Sequence, residues 1–119
     1  MANKLGTALQ ATGYRWAYQG WSRAPDGDYG VWGEDYGRDF VANGIHSERG
    51  TRCYVMLFTR DATQTPRKTV EAALNGLRCS WKLNSVQYER DTGYVHYEWL
   101  VGIWGDMEVT EACQESEST

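Results

Sequence analysis

Any chemistry this chain performs would have to start from a short list of side chains. His46 and His96 are its two histidines, and neither has a Ser, Cys or carboxylate partner at a spacing that signals nucleophilic or metal chemistry. In the stretch GYVHYEWLV, period-2 alternation places His96 with Tyr94 and Glu98 on one face and Tyr97 and Trp99 on the other. His96 and Glu98 are two potential ligands on one strand face, and a zinc site needs at least a third protein ligand. Asp26 and Asp28 bracket Gly27 like the first positions of a calcium loop, but the later ligands and the closing Glu are missing, so they read as turn-forming aspartates. Glu34, Asp35 and Asp39 surround a turn, and a glycosidase pair would need a defined carboxyl separation that their spacing does not fix. The three cysteines, Cys53, Cys79 and Cys113, are odd in number, far apart and in no C-x-x-C pair, which reads as free thiols rather than a disulfide framework or a zinc cluster. There is no G-x-S-x-G, no phosphate-cradling glycine loop with Lys and no dinucleotide fingerprint. The expectation is a protein that is not an enzyme and uses no metal or cofactor.

With catalysis set aside, composition becomes the guide. A chain of 119 residues suits one domain with one modest core. No uncharged apolar run approaches the roughly 20 residues of a membrane span, and MANKLGTALQATG has no apolar stretch of signal-peptide length; a soluble chain made in the cytoplasm is expected. The net charge of -4 is concentrated at one end, where Asp106, Glu108, Glu111, Glu115 and Glu117 occur without Lys or Arg. This divides the chain into a near-neutral body, residues 1–105, and an acidic tail, residues 106–119. Such a body lacks the clustered Lys and Arg of a duplex-DNA-binding surface. Six Trp and eight Tyr stand against two Phe, a bias toward rings with a polar tip, which are favoured where one end is covered and the other stays wet, as at subunit interfaces.

These residues need elements to hold them. Leu5, Ala8, Leu9 and Thr12 follow the helical i, i+3, i+4, i+7 rule, and Gly13 ends the segment as a C-terminal cap. YRWAYQGW reads as a strand and SRAPDGDYG as loop. YGVWGEDYGRDFVANG reads as strand, turn at Tyr36-Gly37, and strand, closing at the hairpin signal Asn43-Gly44. The long arm IHSERGTRCYVMLFTRD bends at Gly50 and then is apolar on both faces, the mark of a central strand. TPRKTVEAALNGL is a helix with Thr65 as cap, Pro66 in the first turn and the stripe Val70, Ala73, Leu74, Leu77. SWKLNSVQYERDTGYVHYEWLVGIW gives two strands joined at Arg90-Asp91-Thr92-Gly93. The predicted fold is a single α+β domain, an antiparallel meander with long hairpins and two helices packed on it.

The order of these parts resembles a family. A first helix leads to a strand and a Pro-containing loop entering an aromatic strand (APDGDYGVW). A short strand ending DFVANG and a long arm ending CYVMLFTRD follow, then a helix bearing V-E-x-x-L (VEAAL) and an aromatic hairpin, SVQYERDTGYVHYEW. Over residues 14 to about 101 this is similar to the tail terminator, or tail-completion, proteins of long-tailed bacteriophages; the extra Trp residues and the acidic extension after Asp106 depart from the pattern. The resemblance implies a virion protein, assembled in the host cytoplasm into a homo-hexameric ring at the head-proximal end of the tail. Its partners would be the major tail tube protein and a neck or head-completion (stopper) protein, and double-stranded DNA would pass through the lumen without specific binding. Another neck or head-tail connector subunit fits the same pattern, and a carbohydrate-binding module is the alternative of a different class.

A closed ring of identical subunits needs two unlike faces on each copy. The residues expected at those contacts are Tyr36, Arg38 and Asp39 at the first hairpin turn, with Trp21 and Tyr29 beside the Pro25 loop. Arg67 and Lys68 join them, because both fall in the first turn of the second helix, where the helix dipole disfavours cations and an acidic neighbour would offset the cost.

Overall fold

The computed structural model describes residues 3–34 and 50–104. The hairpin expected around Tyr36-Gly37 and Asn43-Gly44, with Tyr36, Arg38 and Asp39, lies outside the described residues, as do Cys113 and the acidic segment 106–119. No helix among the described residues is long and apolar enough to cross a membrane.

Helix α1 (Asn3–Gln10) forms where the apolar stripe predicts it, with Leu5 and Leu9 fully buried. Gly13 stops it, at φ 93°, with its amide donating to the Gln10 carbonyl. Strand β1 (Arg15–Tyr18) is shorter than the expected run, because Gln19 and Gly20 at φ 68° and 134° turn the chain away. After loop 19–28 come strand β2 (Tyr29–Glu34), strand β3 (Gly50–Thr59), helix α2 (Thr65–Asn75), strand β4 (Cys79–Tyr88) and strand β5 (Val95–Trp104). The hairpin connection between β4 and β5 falls at Arg90 to Gly93 as expected, with Gly93 at φ 80°.

The five strands form one mixed sheet in the order β1-β2-β3-β5-β4, a correction to the predicted antiparallel meander. β1 and β2 pair in parallel, Trp16 opposite Gly30 and Tyr18 opposite Trp32. Alternation within a strand is the same for either polarity, so only the connection could have revealed this. At about 3.3 Å per residue loop 19–28 reaches ~30 Å, enough to carry the chain back along a strand of about 13 Å. The second departure from a meander is β5, which inserts between β3 and β4 and pairs antiparallel with both. Helix α2 makes this possible by returning the chain across the sheet between two strands that run in the same direction.

Both helices lie on one face. Leu5, Leu9, Val70 and Leu74 pack with Trp16, Trp32, Cys53, Val55, Leu57, Tyr97, Trp99, Val101 and Ile103 as one core. β3 is the central strand with two apolar faces that the sequence implied. On the opposite face Tyr29, Val31, Tyr54, Met56, Phe58, His96, Glu98 and Leu100 are half-buried. Three glycines let aromatic rings close the layers: a Cβ at Gly6 would stand 2.6 Å from the Trp32 indole, at Gly30 2.3 Å from that of Trp16, and at Gly33 2.8 Å from the Tyr54 hydroxyl.

Helix α2 begins differently from expectation. Thr65 is its first residue rather than its cap; the cap position is Gln64, whose side chain makes no capping bond. The Thr65 amide donates instead to the Thr63 hydroxyl (3.3 Å), and Asp61 in turn accepts from the Thr63 amide (2.8 Å) and hydroxyl (2.6 Å). Gln64 is itself in right-handed helical geometry (φ -82°, ψ -4°) rather than the extended geometry of a capping residue, and the capping duty moves upstream into this Asp-x-Thr turn. Those two bonds hold the exposed Asp61 carboxyl below its ordinary value of 3.8. A carboxyl lowered by folding contributes stability above its unfolded value and loses it as pH falls through the folded value. Thermal unfolding is therefore expected to separate the native chain from Asp61→Asn at neutral pH, with the gap shrinking below about pH 4; an unchanged gap down to about pH 2 would remove Asp61 from the acid limb.

Candidate assembly surface: an aromatic knot at one end of the sheet

Where loop 19–28 meets β2, five rings collect. Tyr29 of β2 stacks on Phe58 of β3 with centroids 4.8 Å apart and planes within 12°. Phe58 stacks in turn on His96 of β5, at 4.1 Å and 19°. Cross-strand pairing dictates this row: Tyr29 lies opposite Phe58 and Phe58 opposite His96, so the three side chains rise from one face side by side. Trp21 meets the edge of Tyr29 at 6.4 Å and 85°, and Tyr94 stands edge-on to both Tyr29 and Phe58.

Hydrogen bonds staple the loop around this row. The Trp21 indole donates to the Gly30 carbonyl (2.9 Å), and the Tyr94 hydroxyl to the Gly27 carbonyl (2.8 Å). Asp28 accepts from the buried Thr59 hydroxyl (2.7 Å) and the Arg60 amide (3.2 Å). Arg60 donates to the Thr92 carbonyl (2.9 Å) and lays its guanidinium over the Tyr94 ring at 4.3 Å. Asp28 thus ties the β2 entry to the β3 exit, which explains why it is held while Asp26 stays exposed. Burial, then the charges of Tyr94 and Glu89, raise the Tyr29 hydroxyl above its usual pKa.

Of the residues singled out in the sequence, the structure brings Trp21 and Tyr29 together in this knot. Arg67 has a local explanation: its guanidinium donates to Glu71 one turn on (3.0 Å), and the same carboxylate oxygen accepts from the Trp99 indole of β5 (3.0 Å). Lys68 is exposed. Sequence reasoning did not include Phe58 and Tyr94 among the candidates. Alternation had placed Tyr94 with His96, but the cross-strand register that puts Phe58 between Tyr29 and His96 depends on long-range pairing that no local pattern encodes.

Among the described residues no three of His, Cys, Asp and Glu converge where a cation could sit. Nε2 of His96 is buried and has no hydrogen-bond partner among them. Burial pushes the Cys79 thiol up to about 11, and it donates to the Leu74 carbonyl, the setting of a structural rather than a nucleophilic cysteine. Within the row Phe58 has both ring faces covered, by Tyr29 on one side and His96 on the other. No family model matches the chain, and no curated protein matches it.

Proposed function

We propose that the chain is a tail terminator of a long-tailed bacteriophage, a non-enzymatic subunit that closes into a ring on the head-proximal end of the tail tube, stops tube growth and joins the tail to the neck. The observation that carries this reading is a subunit with two unlike margins, each bearing exposed apolar side chains: Tyr18 on β1, and Val86 and Tyr88 on β4. A head-to-tail contact between such margins, repeated until the rotation closes, is what a ring demands. The near-neutral body supports a lumen through which DNA slides, since strong phosphate binding would require clustered Lys and Arg. The hexameric stoichiometry, the tube protein and the stopper as neighbours, and the virion location come from the family resemblance.

The test is loss of the chain from a phage that encodes it. Terminator function predicts tails of unregulated length that fail to join heads, and a cryo-EM reconstruction of the virion with this polypeptide as a ring between tube and neck. Tails of normal length in its absence, or density for it elsewhere in the neck, would replace the terminator reading with the connector one.

A further inference from the structure

Among the described residues the sheet is bounded by β1 on one side and β4 on the other. The exposed large apolar side chains among the described residues are Tyr18 at 51%, Val86 at 50% and Tyr88 at 66%, all on these two strands. All three also point to the helix-bearing side, because Tyr18 lies opposite Trp32, Val86 opposite Tyr97 and Tyr88 opposite Val95.

The polarity of the two margins is complementary. β1 is parallel to β2, β2 antiparallel to β3, β3 to β5 and β5 to β4, so β1 and β4 run in opposite directions. Two copies set side by side in the same orientation therefore bring β4 of one antiparallel to β1 of the next. Hydrogen-bond phase agrees as well. The Gln19 amide donates inward to the Trp32 carbonyl, and Glu89 exchanges bonds inward with Tyr94 and Gly93. Alternation then turns the backbone groups of Trp16 and Tyr18 outward on β1, and those of Val86 and Tyr88 outward on β4. In an antiparallel ladder, outward groups must sit on residues of the same face to meet, and here they do. The Trp16 carbonyl already accepts a long bond from the Gln10 side chain (3.4 Å), which is the group a partner amide would displace.

One register satisfies the remaining side chains. With Val86 opposite Tyr18 and Tyr88 opposite Trp16, Glu89 comes opposite Arg15 on the other face, a cation against a carboxylate. The irregularity at Leu83/Ser85 interrupts the regular edge N-terminal to this stretch, as bulges do, and confines pairing to residues 86–89, matching the four residues of β1.

We propose that the chain associates with a second copy of itself edge to edge, β4 of one antiparallel to β1 of the next, in this register. The proposal rests on the ring reading and names the surfaces that meet. It is tested with the full chain carrying Tyr18→Cys and Val86→Cys together. Directly opposed hydrogen-bonded residues place their Cα atoms about 5.5 Å apart, inside the span a disulfide bridges. Oxidation is expected to give a ladder of covalent multimers on a non-reducing gel, while each single variant yields no ladder. In the cysteine-unsubstituted chain, Arg15→Glu or Glu89→Arg should each weaken self-association by about fivefold and the exchanged pair should restore it, a rescue that a misfolded variant could not show. Multimers that form but fail to cross-link in the double variant, or a single cysteine that suffices, would overturn the edge pairing and leave the ring reading in place. A chain that stays monomeric in every arm at high concentration also overturns the pairing, and imaging of tail ends then decides the ring reading separately.

Discussion

Replacing Trp99 by alanine is expected to lower stability by about 4 kcal/mol, within the range for deleting a large aromatic from a core. Trp99 is fully buried at the centre of β5, stacks on Tyr97 at 5.6 Å, and donates its indole N–H to Glu71 of α2 (3.0 Å). Truncation removes the ring, opens a cavity between helix and sheet and leaves the Glu71 carboxylate with only Arg67 from the pair described above. Against a usual total of ~5–15 kcal/mol for a domain, the loss brings the chain close to unfolding at room temperature. Urea denaturation should show a lower midpoint with an unchanged slope. Trp99→Phe separates the two contributions: most of the apolar volume stays, the donor goes, and about 1–3 kcal/mol should be lost. An alanine variant within about 1 kcal/mol of the native chain would mean that α2 is not seated on this ring.

The second large effect is predicted at Gly30. A Cβ built there would stand 2.3 Å from Cζ3 and 2.4 Å from Cε3 of Trp16, distances no side chain tolerates. The backbone has little room to yield, since Gly30 pairs with Trp16 on one side and Leu57 on the other and its carbonyl holds the Trp21 indole. The Trp16 ring must therefore leave its place in the core and give up its bond to the Thr12 hydroxyl (3.0 Å). Gly30→Val is expected to cost about 3 kcal/mol, the upper part of the range for overpacking. Because the clash is with one ring, shrinking that ring should relieve it: in the Trp16→Leu background the added cost of Gly30→Val should fall by more than half. Additive effects of the two substitutions, read in a double-mutant cycle, would be evidence against this contact.

How much of this was legible beforehand follows from the range of the signals. Helices α1 and α2 were readable because Leu5, Leu9, Val70 and Leu74 mark their buried faces within single turns. That Tyr97 and Trp99 share a face followed from alternation alone, and the core occupies that face. β3 was identifiable as central because Cys53 to Phe58 are apolar on both faces. What failed was each feature set by partners distant in sequence: the parallel β1-β2 pair, the insertion of β5, and the row Tyr29-Phe58-His96. Thr65 was misassigned for a local reason, since the helix starts one residue early and the Thr63 hydroxyl of an upstream Asp-x-Thr turn accepts from the Thr65 amide. Trp21 and Tyr29 come together because both flank one loop, whereas the carboxylate that meets Arg67 within the chain is that of Glu71, a single turn away.

The position of β5 bears on how the chain is made. The last described strand to leave the ribosome is the one that fills the gap between β3 and β4, so until Val95–Trp104 emerges two strands present open inner edges with nothing to pair them. A nascent chain in that condition offers templates for mispairing. The sheet is thus completed only after β5 has been made, its pairing with β3 being of long sequence separation and slow to form, and truncations that spare both helices but remove β5 should yield insoluble product rather than a smaller folded core.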